Sequence, residues 1–133
     1  MSINVTHAQG QLLAQLRPSV TTAVTLYLST NLRTEITLLV AVIVSGTAGQ
    51  TEIEIFHDDD GVVYDNDSLI ASIQKADNAD GLVFQGQHPG SGILMARGGA
   101  IGVKVSQANA VNFSIYGITE TLAERVRSIT GST

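Results

Sequence analysis

Four stretches of this chain alternate apolar and polar or small residues with a period of two, and that pattern decides its architectural class. In "VTTAVTLYL" the residues Val20, Val24, Leu26 and Leu28 share one parity. Ile53 and Ile55 alternate with Glu52 and Glu54, and Ile101, Val103 and Val105 with Gly102 and Lys104. Val111, Phe113 and Ile115 alternate with Asn112, Ser114 and Tyr116. Successive side chains of a strand point to opposite faces, so each stretch offers one face to a core and one to water. The pattern predicts an all-β protein of antiparallel sheets, each packed on one side.

One stretch departs from it. From Ile36 to Val44 both parities are apolar, with Ile36, Leu38, Val40, Val42 and Val44 on one and Leu39, Ala41 and Ile43 on the other. A strand of this kind is buried on both faces. In a small sandwich the simplest cover for the second face is a neighbouring subunit, with Leu39, Ala41 and Ile43 lining the contact. The competing cover is a terminal segment or loop of the same chain.

The punctuation suits short strands. Ser45–Gln50 and Ser106–Ala110 each join two alternating runs and read as hairpin loops. Gln85–Gly92 reads as a flexible loop or bulged crossover, because Pro89 cannot donate to a sheet ladder. With 133 residues and no linker, the chain divides into an arm (1–19), one sandwich domain (20–118) and a tail (119–133). In the arm, Leu12, Leu13 and Leu16 lie on one helical turn or an extended segment, since Pro18 biases Arg17 away from helix. The tail offers a capping box, Thr121 with Glu124, followed by the stripe Leu122, Val126 and Ile129. It reads as a short helix or adhesive tail. Both groups of apolar side chains are attachment candidates.

Charge narrows the partners. Charged residues make up 14% of the chain, against about 25% in typical proteins, and the net charge is −5. There is no Lys/Arg cluster to displace counterions from phosphates, which argues against nucleic acid. Cysteine is absent, so thiolate metal sites and disulfides are excluded. The longest apolar run, Ile36–Val44, is far shorter than the roughly 20 residues of a membrane-spanning helix, and the N-terminus lacks the pattern of a secretory signal. A soluble protein without a membrane partner is expected. The triplets at Asn4, Asn66 and Asn112 fit the glycosylation pattern by chance.

The stretch "HDDDGVVYDND", His57–Asp67, holds five aspartates. A calcium loop needs about six oxygens converging on one point, but the carboxylates of consecutive Asp58, Asp59 and Asp60 diverge and no glutamate closes the loop. The stretch reads as a hairpin turn in which Asp58, Asp59 and Asp60 cap backbone N–H groups and Gly61 supplies a positive φ. A weak calcium site and a His57–Asp metal site are the sharper alternatives. His7 and His88 stand in loop-like contexts, and no nucleophile motif or phosphate cradle is present. No catalytic, cofactor-binding or metal residue is assigned, and an enzyme is not expected. Tyr27, Tyr64 and Tyr116 read as cross-strand packing before ligand stacking.

Three phrases in order, "GQLLAQLRPSVTTAVTLYLSTNLRTEITLLVAVIVSGTAGQTEIEIF", "FHDDDGVVYDNDSLI" and "IGVKVSQANAVNFSIYGI", resemble small virion structural proteins of tailed bacteriophages. The resemblance covers residues 9 to 118; the tail and "GQHPGSG" match less well. It implies a jelly-roll-like antiparallel β-sandwich that forms homotrimeric knobs without a cofactor. One member type is a capsid decoration (cement) protein on the virion exterior, whose partner is the phage major capsid protein. The other is a tail- or fibre-associated knob, which would bind a host receptor or glycan through loops such as 57–67 and 85–92. Under the first, Leu39, Ala41 and Ile43 would line the trimer seam.

Overall fold

The computed structural model describes residues 11–44, 46–76, 81–86 and 92–120, and these form strands and connections without a helix. The strands are β1 (Gln11–Leu16), β2 (Val24–Leu28), β3 (Arg33–Ile43), β4 (Gln50–Asp58), β5 (Leu69–Ala76), β6 (Leu82–Gln85), β7 (Ile93–Ala96), β8 (Ala100–Val105) and β9 (Val111–Glu120). They make two antiparallel sheets. One has the order β1-β9-β3-β6, with β7 also paired to β3; the other has the order β2-β8-β4-β5. The pairings nest: β1 with β9, β2 with β8, β3 with β6 and β7, and β4 with β5. The chain is thus one long antiparallel ribbon, rolled until β3 meets β9 and β4 meets β8.

The alternating residues meet between the sheets. Ile53, Ile55, Ile101, Val103 and Val105 come from the four-stranded sheet, and Ile36, Leu39, Ala41, Ile43, Val111, Phe113 and Ile115 from the other; all are buried in one cluster. The result is a β-sandwich, as the alternation requires. Buried hydroxyls are satisfied locally. Ser29 Oγ lies 3.0 Å from Thr34 Oγ1, and the Thr37 hydroxyl donates to the Tyr116 carbonyl at 3.3 Å.

The doubly apolar stretch has a structural cause. The register of β3 against β9 slips between Ile36 and Leu38, so Thr37 is the extra residue of a β-bulge. Before the bulge the even-numbered Thr34 and Ile36 face the core; after it the odd-numbered Leu39, Ala41 and Ile43 do. This corrects the seam expectation. Leu39, Ala41 and Ile43 are 2%, 0% and 3% exposed and lie inside their own sandwich. The side chains left outside are Leu38, Val40 and Val42.

Two loops expected as hairpins are arches between sheets. Residues 44–49 connect β3 to β4 and residues 106–110 connect β8 to β9, and in each case the two strands belong to different sheets. Gly46, Gly49 and Asn109 take positive φ there. The arches are joined by Gln107, whose Nε2 donates to the Ala48 carbonyl at 2.9 Å and to Thr51 Oγ1 at 3.1 Å. The expected arm is also corrected: residues 11–16 form β1, paired with β9, so the sandwich begins well before residue 20 and extends to Glu120. A register slip between Leu12 and Ala14 hid this strand, because it leaves the consecutive Leu13 and Ala14 both packed against the core and so breaks the alternating pattern.

Candidate functional site

Two features lie outside the core, one on each sheet. The first is the ten-residue connection from β4 to β5, residues 59–68, which folds back over the outer face of the four-stranded sheet. Asp58 organises its start: Oδ1 accepts from the Asp60 N–H at 3.2 Å and Oδ2 from the Val63 N–H at 2.8 Å. Asp65 repeats the device, accepting from the Asp67 N–H at 3.0 Å, and Ser68 Oγ accepts from the Asp65 N–H at 3.0 Å. These are side chains substituting for backbone in a turn. Gly61 has no positive φ, in contrast to the sequence expectation; with Asp58 holding the Val63 N–H, the turn is closed by a carboxylate instead of a left-handed residue.

The electrostatics follow from those bonds. The N–H groups of Val63 and Asp60 hold the Asp58 carboxyl below its usual range. Asp60 moves the other way: its side-chain hydrogen bond with Asp58, and then the charges of Asp58 and Asp59, raise its pKa. Asp58, Asp59 and Asp60 each present an oxygen within 4.8 Å of the others, a spacing open to a cation. Both oxygens of Asp58 are already engaged by the backbone, however, and no glutamate closes the loop. The His57 N–H donates to the Ser68 carbonyl at 2.8 Å, while its buried Nε2 has no hydrogen-bond partner.

Tyr64 packs across strands as its reading from the sequence expected, but the partners it packs on were not legible there. Its ring lies over Gly102 and tilts against Phe56, with ring centroids 6.0 Å apart, and its hydroxyl is 2.7 Å from Thr25 Oγ1. It therefore bridges β2, β8 and β4 from outside, and it leaves Phe56 only 3% exposed on what would otherwise be the wet face. Burial raises the Tyr64 pKa. A Cβ on residue 102 would lie 2.6 Å from three ring atoms, so the seat exists only with glycine there. A glycine interrupting an otherwise regular strand pattern is the signal that could have found it.

The second feature is the outer face of the five-stranded sheet. Register places Leu12, Tyr116, Leu38 and Gln85 in one row across β1, β9, β3 and β6. Gln15, Ser114 and Val40 form the next row, and Asn112 and Val42 the last. On the other side of the first row stand Ile118, Glu35 and Leu94. Beyond these, Arg33 and Glu120 make an ion pair of 3.2 Å across β3 and β9. Leu12, Val42 and Leu94 are 49%, 43% and 54% exposed, and Leu38, Val40, Tyr116 and Ile118 are half-buried. Three consecutive rows contain no charged side chain among the described residues.

Of the attachment candidates in the arm, Leu13 and Leu16 pack against the core and Leu12 alone points outward. Leu122, Val126 and Ile129, with the expected tail helix, lie outside the described residues, as does part of the 85–92 loop. Compared with protein-family models, with curated proteins and with solved structures, the chain matches none.

Proposed function

We propose that this chain is a structural subunit of a tailed-bacteriophage particle, a head decoration protein that acts as a homotrimer and clamps neighbouring subunits of the major capsid protein. The observation that carries this reading is the outer face of the five-stranded sheet. It spends strand positions that normally carry charge on leucine, valine and tyrosine, which suits a protein that works by association. The nested strand pairing supports the jelly-roll reading, since an antiparallel ribbon rolled on itself is how that fold is wound, and viral capsid proteins use it. The clamping would rest on avidity: a trimer places three copies of a modest contact on the shell, and the second and third become intramolecular. Seven of the twelve acidic residues, Glu52, Glu54, Asp58, Asp59, Asp60, Asp65 and Asp67, lie on the four-stranded sheet and its loop, which suits that side for solvent.

A tail or fibre knob would need aromatic side chains displayed on its loops. The tyrosine of the 59–68 loop is turned inward onto Gly102 and Thr25, which favours the decoration reading. The test is copy number and position on purified particles, by quantitative mass spectrometry and electron microscopy of tagged protein. Hundreds of copies on the head are expected. A handful at the tail, or none on the particle, would overturn the proposal.

A further inference from the structure

We propose that the Asp60–Gly61 step is a site of spontaneous backbone modification, where the aspartyl linkage closes to a cyclic imide and reopens as isoaspartate. The inference goes beyond the assembly reading and does not depend on it. It concerns the connection from β4 to β5.

In this reaction the backbone nitrogen of Gly61 attacks Cγ of the Asp60 side chain. A C–N bond forms, the nitrogen gives up its proton and the carboxyl hydroxyl leaves, so a single water is released. Water then adds back at either carbonyl of the imide. Opening at the side-chain carbonyl restores aspartate, whereas opening at the backbone carbonyl leaves the main chain running through Cβ and Cγ. The α-carboxylate becomes the new side group. Water is the only co-reactant.

The nitrogen is open to this chemistry. Gly61 carries no side chain to crowd it, and among the described residues no group accepts its N–H. The N–H groups of Asp60 and Val63, on either side, are both taken by the Asp58 carboxylate. Residues 59–61 form a bend beyond the end of β4, and Asp60 is exposed, so water reaches the step. At the neighbouring Asp58–Asp59 and Asp59–Asp60 steps the attacking nitrogen belongs to a residue with a side chain. The carboxyl is suited as well. Attack needs its neutral form, from which a hydroxyl can leave as water. The hydrogen bond with Asp58 and the charges of Asp58 and Asp59 raise the Asp60 pKa and so enlarge that fraction.

The other Asp–Gly step, Asp80–Gly81, supplies a comparison within the same chain. Gly81 is seated on β3: its carbonyl accepts from the Ala41 N–H at 2.7 Å, and a Cβ there would lie 2.8 Å from Val42 Cγ2. Ring closure has to swing the glycine nitrogen toward the aspartate side chain, which these contacts resist. At Gly61 a Cβ would meet only Asp58 Oδ2, at 3.5 Å. Isomerisation also has a consequence for the loop. It adds a carbon to the main chain between the N–H groups of Asp60 and Val63, which Asp58 holds together. Tyr64 follows directly, so its seat on Gly102 and Thr25 loosens.

The test is to age the purified full chain for weeks at neutral pH and physiological temperature, folded and unfolded in guanidinium chloride. Isoaspartate is then located by electron-transfer fragmentation of a peptide digest. In the folded chain it should accumulate several-fold faster at position 60 than at position 80. In denaturant, where both steps have the same local chemistry, the difference should disappear. Asp60→Glu keeps the charge but would need a larger ring, and it should abolish the product at that position. Urea unfolding of the aged wild type should reveal a less stable fraction that aged Asp60→Glu lacks. Equal rates at the two steps in the folded chain, a difference that persists in denaturant, or no isoaspartate at position 60 would overturn the inference. An aged wild type that carries isoaspartate yet unfolds like Asp60→Glu would overturn its consequence for the Tyr64 seat.

Discussion

Replacing Gly102 by alanine should destabilise the fold by about 1.5–3 kcal/mol, and that cost should vanish when Tyr64 is also replaced by alanine. The new methyl would lie 2.6 Å from three atoms of the Tyr64 ring. Carbon atoms in contact sit about 3.5–4.0 Å apart, so something must move by about 1 Å. Strand β8 cannot move, because it is paired to β2 on one side and β4 on the other. The ring must leave its seat. It then loses the 2.7 Å hydrogen bond to Thr25, a net contribution of about 1 kcal/mol. It also loses its contact with Phe56, about 0.5–1.5 kcal/mol. Wetting some 40 Å² of Phe56, now 3% exposed, adds about 1 kcal/mol at ~25 cal/mol per Å². Alanine's advantage over glycine in a strand offsets about 0.5–1 kcal/mol of the total. Urea unfolding of the four members of the double-mutant cycle, at one protein concentration, measures each step. With Tyr64 already removed, Gly102→Ala should be neutral or slightly stabilising. If it costs the same in both backgrounds, Tyr64 does not occupy the seat described and the reasoning is refuted.

Gln107→Ala should cost about 1–3 kcal/mol in the same urea assay, because it strips a partner from Thr51, which is 0% exposed, and unties the two arches. A variant as stable as wild type would show that the arches stand without it. The Asp58 carboxyl has a folded pKa below 3.8, so its stabilisation is complete above that value and is lost as pH falls through the lowered one. The thermal midpoint of Asp58→Asn should therefore lie below wild type at neutral pH and converge with it in strong acid. Asp60 runs the opposite way: its raised pKa means that ionisation above 3.8 opposes folding, so Asp60→Asn should be more stable than wild type at neutral pH and equal to it in acid. Midpoint differences independent of pH would refute both assignments. Adding calcium or a chelator should leave the midpoint unchanged, since backbone N–H groups already engage Asp58; a saturable rise with calcium would make the loop a metal site.

The candidate site was legible in the sequence only in part. The "HDDDG" stretch reads correctly as a connection between paired strands, because capping by aspartate is a local matter settled within five residues. The lid made by Tyr64 over Gly102 joins residues 38 positions apart, and only the isolated glycine of β8 hinted at it. The uncharged outer face draws its rows from β1, β9, β3 and β6, and no window of sequence contains more than a fragment of it.

Alternation by itself determined that this chain is all-β and which side chains of β4, β8 and β9 meet in the core. The period of a strand is written in the order of its own residues, so a local pattern suffices for that. Tertiary structure alone decided the rest: which strands share a sheet, that residues 44–49 and 106–110 are arches, and that the bulge at Thr37 moves the core side of β3 from even to odd positions. A run such as Ile36–Val44 is apolar on both parities whether a second subunit covers it or a bulge reverses it midway. The pairing partner sets the register, and for β3 that partner is β9, 68 to 87 residues further along the chain.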